Sequence, residues 1–476
     1  MIQPMQQNTK PSMYVFMNTS ERSLFLNSKA KILQLVPNYS VPRYTSYPTA
    51  PNFNEKINSD IYESWLKKLD KNKKISLYIH IPFCNSLCYF CGCHTSVTNI
   101  YDPIENYVKS LLQEINILSE KLESKFNVSH IHFGGGTPSI LMGGDLWMIM
   151  NLIKKKFNVL GNCEIAMEID PRFYRKNLTI ILNAFGFNRV SLGVQDFSQN
   201  TQILVNRIQS YELTMEIVNH FHENNIHNIN IDLIYGLPEQ TVQTFSDTLE
   251  KIGTINPDRI SVFGYGHVPW VKKHQRLIKG KLVDNEGRLK FYQLASHYFL
   301  SNGYEAFGID HYAKKTSSII NKVKKRKLQR NFQGYSEDSA DVLIGIGTSS
   351  ISNLPNGYVQ NTTRTINYIN TLKNKKLPIS RGCEIEPNDK IYREIINELM
   401  CYLNVDLSQI AKKFGKNVNF FSSNIEKLKP FIDNKYIFFN NFKLLINPEA
   451  RPLVRIICSI FDQYFEPKKN MYSFGI

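Results

Sequence analysis

From residue 75 onward the chain alternates short β-rich runs with longer segments of helical periodicity, and this rhythm limits its folds more than any other feature. The β-rich runs are 75–81 (ISLYIHI), 129–133 (SHIHF), 164–169 (EIAMEI), 189–194 (RVSLGV), 229–235 (INIDLIY) and 259–265 (RISVFGY). Helical periodicity marks 104–122, 144–156, 175–183, 199–224, 242–255 and 286–301. Strands alternating with helices imply right-handed βαβ crossovers and a parallel sheet. Six such units fit a curled, incomplete barrel or a doubly wound sheet.

The strand ends narrow the reading. Each run leads at once into a polar, Gly-rich or Cys-rich stretch: PFCNSLCYFCGC, GGGTPS, DPR, GVQDF, GLPEQT and GYGHVP. In parallel α/β folds the site lies where the C-terminal strand ends and their loops converge. Six special loops on one edge point to one site. Beyond residue 303 the rhythm loosens into Gly- and aromatic-rich loops (GIDHYAK, QRNFQGYSED, GIGTSSIS), and a Leu-, Ile-, Phe- and Lys-rich helical segment follows. The expected organisation is an extension over 1–70, an α/β unit with its loops over 71–365, and a mainly helical unit over 366–476.

Composition bears on partners. The formal charge of +16 could serve nucleic acid, a membrane surface or an anionic small molecule, or could be a solvated basic surface. Basic runs such as 322–327 (KVKKRK) lack the interleaved aromatics of a single-strand binding groove. Nucleic acid is therefore not expected. No apolar run reaches the roughly 18 residues of a membrane span. The first residues (MIQPMQQNTKPSMYVF) lack the basic start and apolar stretch of a secretory signal, so a cytoplasmic location is expected.

Eight cysteines are unevenly spread. Cys163, Cys383, Cys401 and Cys458 are scattered and read as small buried hydrophobes. Cys84, Cys88, Cys91 and Cys93 fall in the loop after the first run, and clustered thiols inside cells more often hold metal than pair as disulfides. Cys84-x3-Cys88-x2-Cys91 fits neither paired zinc knuckles nor a Cys-His finger. Three close thiolates suit an iron–sulfur cluster whose fourth iron stays open, with zinc or a plain loop as alternatives. Cys93 is a conceivable fourth ligand, although Cys91-Gly-Cys93 is tight for two adjacent irons.

The CxxxCxxC spacing after the first strand resembles the signature of radical S-adenosylmethionine (SAM) enzymes. The longer string YIHIPFCNSLCYFCGC is similar to the oxygen-independent coproporphyrinogen III oxidase family. PRYTSYPTAPNF, IHFGGGTPS, EIDPR, SLGVQDF, VNRIQ, IDLIYGLPEQT, RNFQGY and GIGTSSIS resemble it too. The resemblance runs from about residue 40 to the C-terminus. It implies an α/β fold, a partial (β/α)6 radical SAM barrel with an N-terminal extension and a mainly helical C-terminal domain. It also implies one [4Fe-4S] cluster, two SAM molecules, a monomer, and an electron donor and acceptor that the sequence does not identify. The implied reaction removes carbon dioxide from two propionates of coproporphyrinogen III, giving protoporphyrinogen IX. A heme-binding chaperone on the same barrel is the runner-up. The resemblance implies that this subfamily lacks a cysteine at the place of Cys93.

By resemblance, Cys84, Cys88 and Cys91 ligate the cluster. Tyr78, Gly135, Gly136, Thr137, Glu168 and Ile351 contact the first SAM. Phe90, Gly136, Thr137, Gln195, Arg207, Asp232 and Gly266 contact the second, with Arg207 and Asp232 suited to a methionine carboxylate and amine. No catalytic residue beyond these is expected, save a role for Cys93. A substrate with four carboxylates needs Arg or Lys; Arg43, Lys314 and Arg330 are the candidates. His267 and His311 read first as satisfied polar groups.

Overall fold

In a computed structural model, residues 40–338 and 340–466 are described. The expected extension up to residue 39 thus lies outside the described residues. Six parallel strands follow the sequence rhythm: β1 (Lys74–Ile81), β2 (Asn127–Gly135), β3 (Asn158–Ile169), β4 (Arg189–Gln195), β5 (Asn228–Tyr235) and β6 (Arg259–Gly264). They lie side by side in chain order. β1, KISLYIHI, is buried along nearly its whole length, as befits a parallel sheet covered on both faces. The crossover helices start and stop on local signals. Thr241 opens Val242–Ile255 with a reciprocal cap, its hydroxyl accepting from Thr244 N at 3.1 Å while the Thr244 hydroxyl accepts from Thr241 N. Gly186 ends Lys176–Phe185 in the left-handed region, at φ 77°.

The sheet continues past the six units. β7 (Tyr304–Phe307) and β8 (His311–Lys314) extend it antiparallel beyond β6. On the other edge β9 (Val342–Ile346) pairs parallel with β1, and β10 (Ile351–Leu354), β11 (Gly357–Asn361) and β12 (Ile379–Glu384) follow antiparallel. The result is one open twelve-stranded sheet whose seventh parallel strand, β9, is the run VLIGI that reads in sequence as part of a Gly-rich loop. Another difference concerns the segment expected to be helical over 199–224. It splits into Gln199–Leu204 and Tyr211–Glu223, because Asn206 turns left-handed at φ 54° and Gln202 bonds across the break to the Gln209 amide.

A second core gathers helices Pro387–Tyr402, Leu407–Lys413, Ser422–Asp433 and Val454–Ser459 with a small three-stranded sheet. Val41, Tyr44, Tyr47 and Leu289 also lie in this core. Among the described residues no helix is long and apolar enough to cross a membrane.

Candidate active site

The loops after β1 to β4, with side chains of β5 and β6, line a cavity of about 330 Å³. Cys84, Cys88, Cys91 and Cys93 line it. The loop that carries them is tied down on two sides. Asn206 Nδ2 donates to Leu87 O at 2.8 Å and Tyr89 N to Val205 O at 3.0 Å. From the other side Lys272 Nζ reaches Cys93 O at 2.9 Å, His274 Nε2 lies 2.8 Å from Cys91 O, and Gln275 Nε2 donates to both Phe90 O and Gly266 O at 3.1 Å. Gln275 is 1% exposed, so it acts as a fixed clasp between two loops.

The GGGTP loop after β2 packs against the cysteine loop. Gly136 N donates to Ile81 O and Thr137 N to Phe83 O. A side chain on Gly136 would bring its Cβ to 2.6 Å from Phe83 O and 3.0 Å from Cys84 Sγ. At Gly135 the backbone is left-handed, φ 116°, and an added Cβ would strike the His80 ring at 2.6 Å. The Gly135 amide donates to Glu168 Oε2 at 3.1 Å, and His132 Nε2 stands 3.2 Å from Glu168 Oε1. Burial alone would raise the Glu168 carboxyl, yet the hydrogen bond and charge of His132, with the Gly135 amide, hold it below its ordinary value. Glu168 is thus an ionised acceptor at the end of β3.

Across the cavity lies a compact charge cluster. Asp170 accepts from Arg172 Nη2 at 2.7 Å and from Arg207 Nη1 at 3.2 Å, and burial is outweighed by these cations, so its carboxyl is held down. Both guanidiniums also reach Cys88 Sγ, Arg172 at 3.2 Å and Arg207 at 3.4 Å. Arg207 further holds Gly193 O of β4. Asp232 on β5 accepts from Ser191 Oγ at 3.0 Å and Asn230 Nδ2 at 2.8 Å; burial raises its carboxyl.

Eleven of the expected site residues line this one cavity: Cys84, Cys88, Phe90, Cys91, Gly135, Gly136, Thr137, Glu168, Gln195, Arg207 and Asp232. Three lie back from it. Tyr78 sits behind Gly134, its hydroxyl 3.1 Å from His80 Nδ1 and its ring stacked on His132. Gly266 is held beside Phe90 by Gln275. Ile351 is on β10, its backbone pressed against Gly345. Asp170, Arg172 and Gln275 are the functional neighbours that sequence reasoning missed; the DPR at the end of β3 was the available signal for the first two.

The basic candidates part company. Arg43 and Arg330 line a second chamber, of about 230 Å³, that shares Phe263, His311, Gln333 and Gly334 with the first cavity. Lys314 does not: it closes β8, which runs antiparallel to β6, and its Nζ donates to Asn256 O at the opposite edge of the sheet. His267 bonds the Tyr265 hydroxyl at 2.9 Å and His311 bonds Asp310 at 2.6 Å, both satisfied as expected. A larger groove of about 820 Å³ runs past the other side of the Arg330 segment, and no cysteine-loop residue lines it. The four scattered cysteines are buried.

A [4Fe-4S] cluster takes one thiolate per iron, so its ligands need not converge on a point. Among the described residues no three His, Cys, Asp or Glu side chains form a ready single-ion site. Cys84, Cys88 and Cys91 do face one cavity. The Thr95 and Thr137 hydroxyls stand 3.1 and 3.4 Å from Cys84 Sγ, and the two guanidiniums point at Cys88 Sγ. Donors aimed at sulfur suit thiolates, and the side-chain-free face of Gly136 keeps the space beside Cys84 clear. The residues present fit the cluster.

These features define a radical SAM protein, and the Radical SAM superfamily profile matches residues 78–252. The likeness is closer than a superfamily. Oxygen-independent coproporphyrinogen III oxidase of Bradyrhizobium diazoefficiens is 39% identical over 434 residues, covering 91% of this chain and 96% of that one. The Escherichia coli protein of the same name is 36% identical over 440 residues, covering 92% and 96%. The solved structure of coproporphyrinogen III oxidase (HemN) from Escherichia coli, described as a radical SAM enzyme, superposes with a TM-score of 0.85 at 34% identity, over 90% of this chain and all of that one. The chain belongs to the oxygen-independent coproporphyrinogen III oxidase family.

Proposed function

We propose that this chain converts coproporphyrinogen III to protoporphyrinogen IX without oxygen, in heme biosynthesis. At each of two propionates, a hydrogen atom leaves the carbon β to the carboxylate, carbon dioxide departs, and one electron passes to an acceptor, leaving a vinyl group. The bound cluster and SAM supply the one-electron chemistry that yields a radical able to take that hydrogen.

The chain's own residues position the parts. Cys84, Cys88 and Cys91 hold the cluster, and Arg172 and Arg207 screen the Cys88 sulfur. Glu168, ionised and fixed by Gly135 and His132, takes the cationic end of the first SAM, with Tyr78, Thr137 and Ile351 around it. Gln195, Arg207 and Asp232, with Phe90 and Gly266 beside them, form a separate polar set that suits a second SAM. Cys93 is exposed at the cavity mouth and stays outside the ligand set. We read the enzyme as a cytoplasmic monomer that uses a one-electron donor and acceptor of its host.

The observation that carries the reading is that the cysteine loop, the glycine loop, Glu168 and the Arg207–Asp232 set line one cavity, which shares four lining residues with an arginine-lined chamber. Anaerobic reconstitution with iron and sulfide, followed by SAM, a reductant and coproporphyrinogen III, tests it. Release of two carbon dioxide molecules and appearance of the divinyl product are expected. Tight heme binding without either product would instead favour a heme-carrying role. Binding of labelled SAM to saturation measures whether one or two molecules are held per chain.

A further inference from the structure

We propose that the chamber beside the cluster cavity, built by Arg43, Arg330, Arg451 and Arg455, is the seat of the substrate's non-reacting carboxylate arms. The inference rests on the proposed function and assigns the part of the site that grips the tetracarboxylate.

The four guanidiniums come from distant stretches: a loop before the first strand, the hairpin strand Gln329–Asn331, and the C-terminal unit. Folding brings them together around about 230 Å³. Among the described residues the one carboxylate lining the same chamber is Asp310, whose Oδ1 is already 2.6 Å from His311 Nδ1. Four cations against one carboxylate form a strongly positive recess, which favours an anionic guest. Arg43 is ringed by protein yet its side chain stays open to the chamber. Burial and neighbouring charge work against two of the four: burial lowers the Arg43 guanidinium, and burial together with Arg43 brings Arg455 down to about 10. Incoming carboxylates relieve that cost.

Two residues that line the chamber carry buried donors without a protein acceptor. Arg330 Nε and Gln333 Nε2 are buried and have no hydrogen-bond partner among the described residues. Buried donors of this kind cost free energy until a ligand satisfies them. Size fits arms rather than the whole ring, since pockets that enclose a full small molecule run to roughly 300–1,000 Å³. Phe263, His311, Gln333 and Gly334 border both cavities. A ring lying across that border would set two arms among the arginines and another toward the cluster cavity.

The test compares coproporphyrin III, a fluorescent, unreactive tetracarboxylate, with its neutral tetramethyl ester, on reconstituted protein. Arg43→Gln and Arg455→Gln should each weaken the tetra-acid about tenfold or more, the scale of one hydrogen bond to a charged group. Arg43→Lys and Arg455→Lys should recover much of the loss, and the ester should bind weakly and equally to every form. Unchanged cluster absorbance and circular dichroism verify that each variant is folded. Wild-type affinity for the tetra-acid in both Gln variants, or an ester that binds as tightly as the acid, would overturn the assignment while leaving turnover by the parent enzyme intact. Failure of the parent protein both to bind the tetra-acid and to turn over coproporphyrinogen III would overturn the proposed function and this subsite together.

Discussion

Gly135→Ala probes the packing of the glycine loop that ends β2, and its cost can be built from two separable parts. The first is backbone strain: φ is 116°, where an L side chain is disfavoured, at roughly 1–3 kcal/mol. The second is crowding. The added Cβ would lie 2.6–2.9 Å from three atoms of the His80 ring. That ring cannot easily swing away, since it is held by the Tyr78 hydroxyl at 3.1 Å and His94 O at 3.0 Å. Overpacking of this sort costs about 1–3 kcal/mol. Two controls isolate the parts. Gly186→Ala carries the strain alone, with φ 77° and nothing within 4 Å of its Cβ, whereas Gly144→Ala, inside a helix with open space, carries neither and should stabilise slightly. Denaturant unfolding of the cluster-free protein should rank Gly144→Ala above the parent, then Gly186→Ala, then Gly135→Ala. The last two should differ by at least about 1 kcal/mol. Equal midpoints for them would refute the claim that His80 is rigid. SAM binding gives a second readout: Gly135→Ala should weaken it, because the shifted amide no longer fixes Glu168, and Gly186→Ala should not.

Three further outcomes follow from the same geometry. Cys88→Ala should leave no oxygen-sensitive brown cluster, with iron falling from about four per chain to near none; an intact cluster would sink the ligand assignment. Arg172→Gln should still assemble the cluster, but loss of the donor 3.2 Å from Cys88 Sγ should make the midpoint potential more negative in a potentiometric titration. An unchanged or higher potential contradicts it. Glu114 is buried, accepts from Gly347 N, Asn361 Nδ2 and the Tyr368 hydroxyl, and burial lifts its carboxyl to about 7. A raised acid favours the folded state at low pH, so stability should fall as pH climbs from about 4.5 to 7, by about 3 kcal/mol. Glu114→Gln should remove that slope, and parallel pH–stability curves for the two proteins would refute the assignment.

Local pattern made the six-unit sheet legible. A βα unit announces itself within some thirty residues, and each of the six strands falls on a run that sequence periodicity marks. The cysteine loop, GGGTP and Glu168 were legible for the same reason: each sits at the end of its own strand. What stayed hidden depends on distant partners. β9 is five residues long, and its strand character comes from pairing with β1 more than 260 positions away. Arg451 and Arg455 carry no local mark; only the docking of the C-terminal core places them opposite Arg43. Lys314 misled because nearness in sequence to site loops says nothing about strand direction. β8 runs antiparallel, so it carries His311 toward the site and Lys314 away from it.

The charges explain why both cavities need occupants. Around Cys88, Asp170 balances one of the two guanidiniums, and both also reach Cys88 Sγ, where a thiolate would balance the other. With a neutral thiol the buried group keeps a net positive charge, which is costly; with a ligated thiolate it is neutral and hydrogen-bonded. The same reasoning extends across Phe263 and Gln333. There Asp310 offsets part of the charge of four arginines, and among the described residues no further carboxylate lines the chamber. On the proposed reading the cluster edge is completed by a negative charge from the protein's own cysteine, whereas the chamber would be completed by negative charge arriving with the substrate. A tetracarboxylate whose reacting arm lies toward the cluster meets both conditions at once, and a neutral guest of the same shape would leave the second unmet.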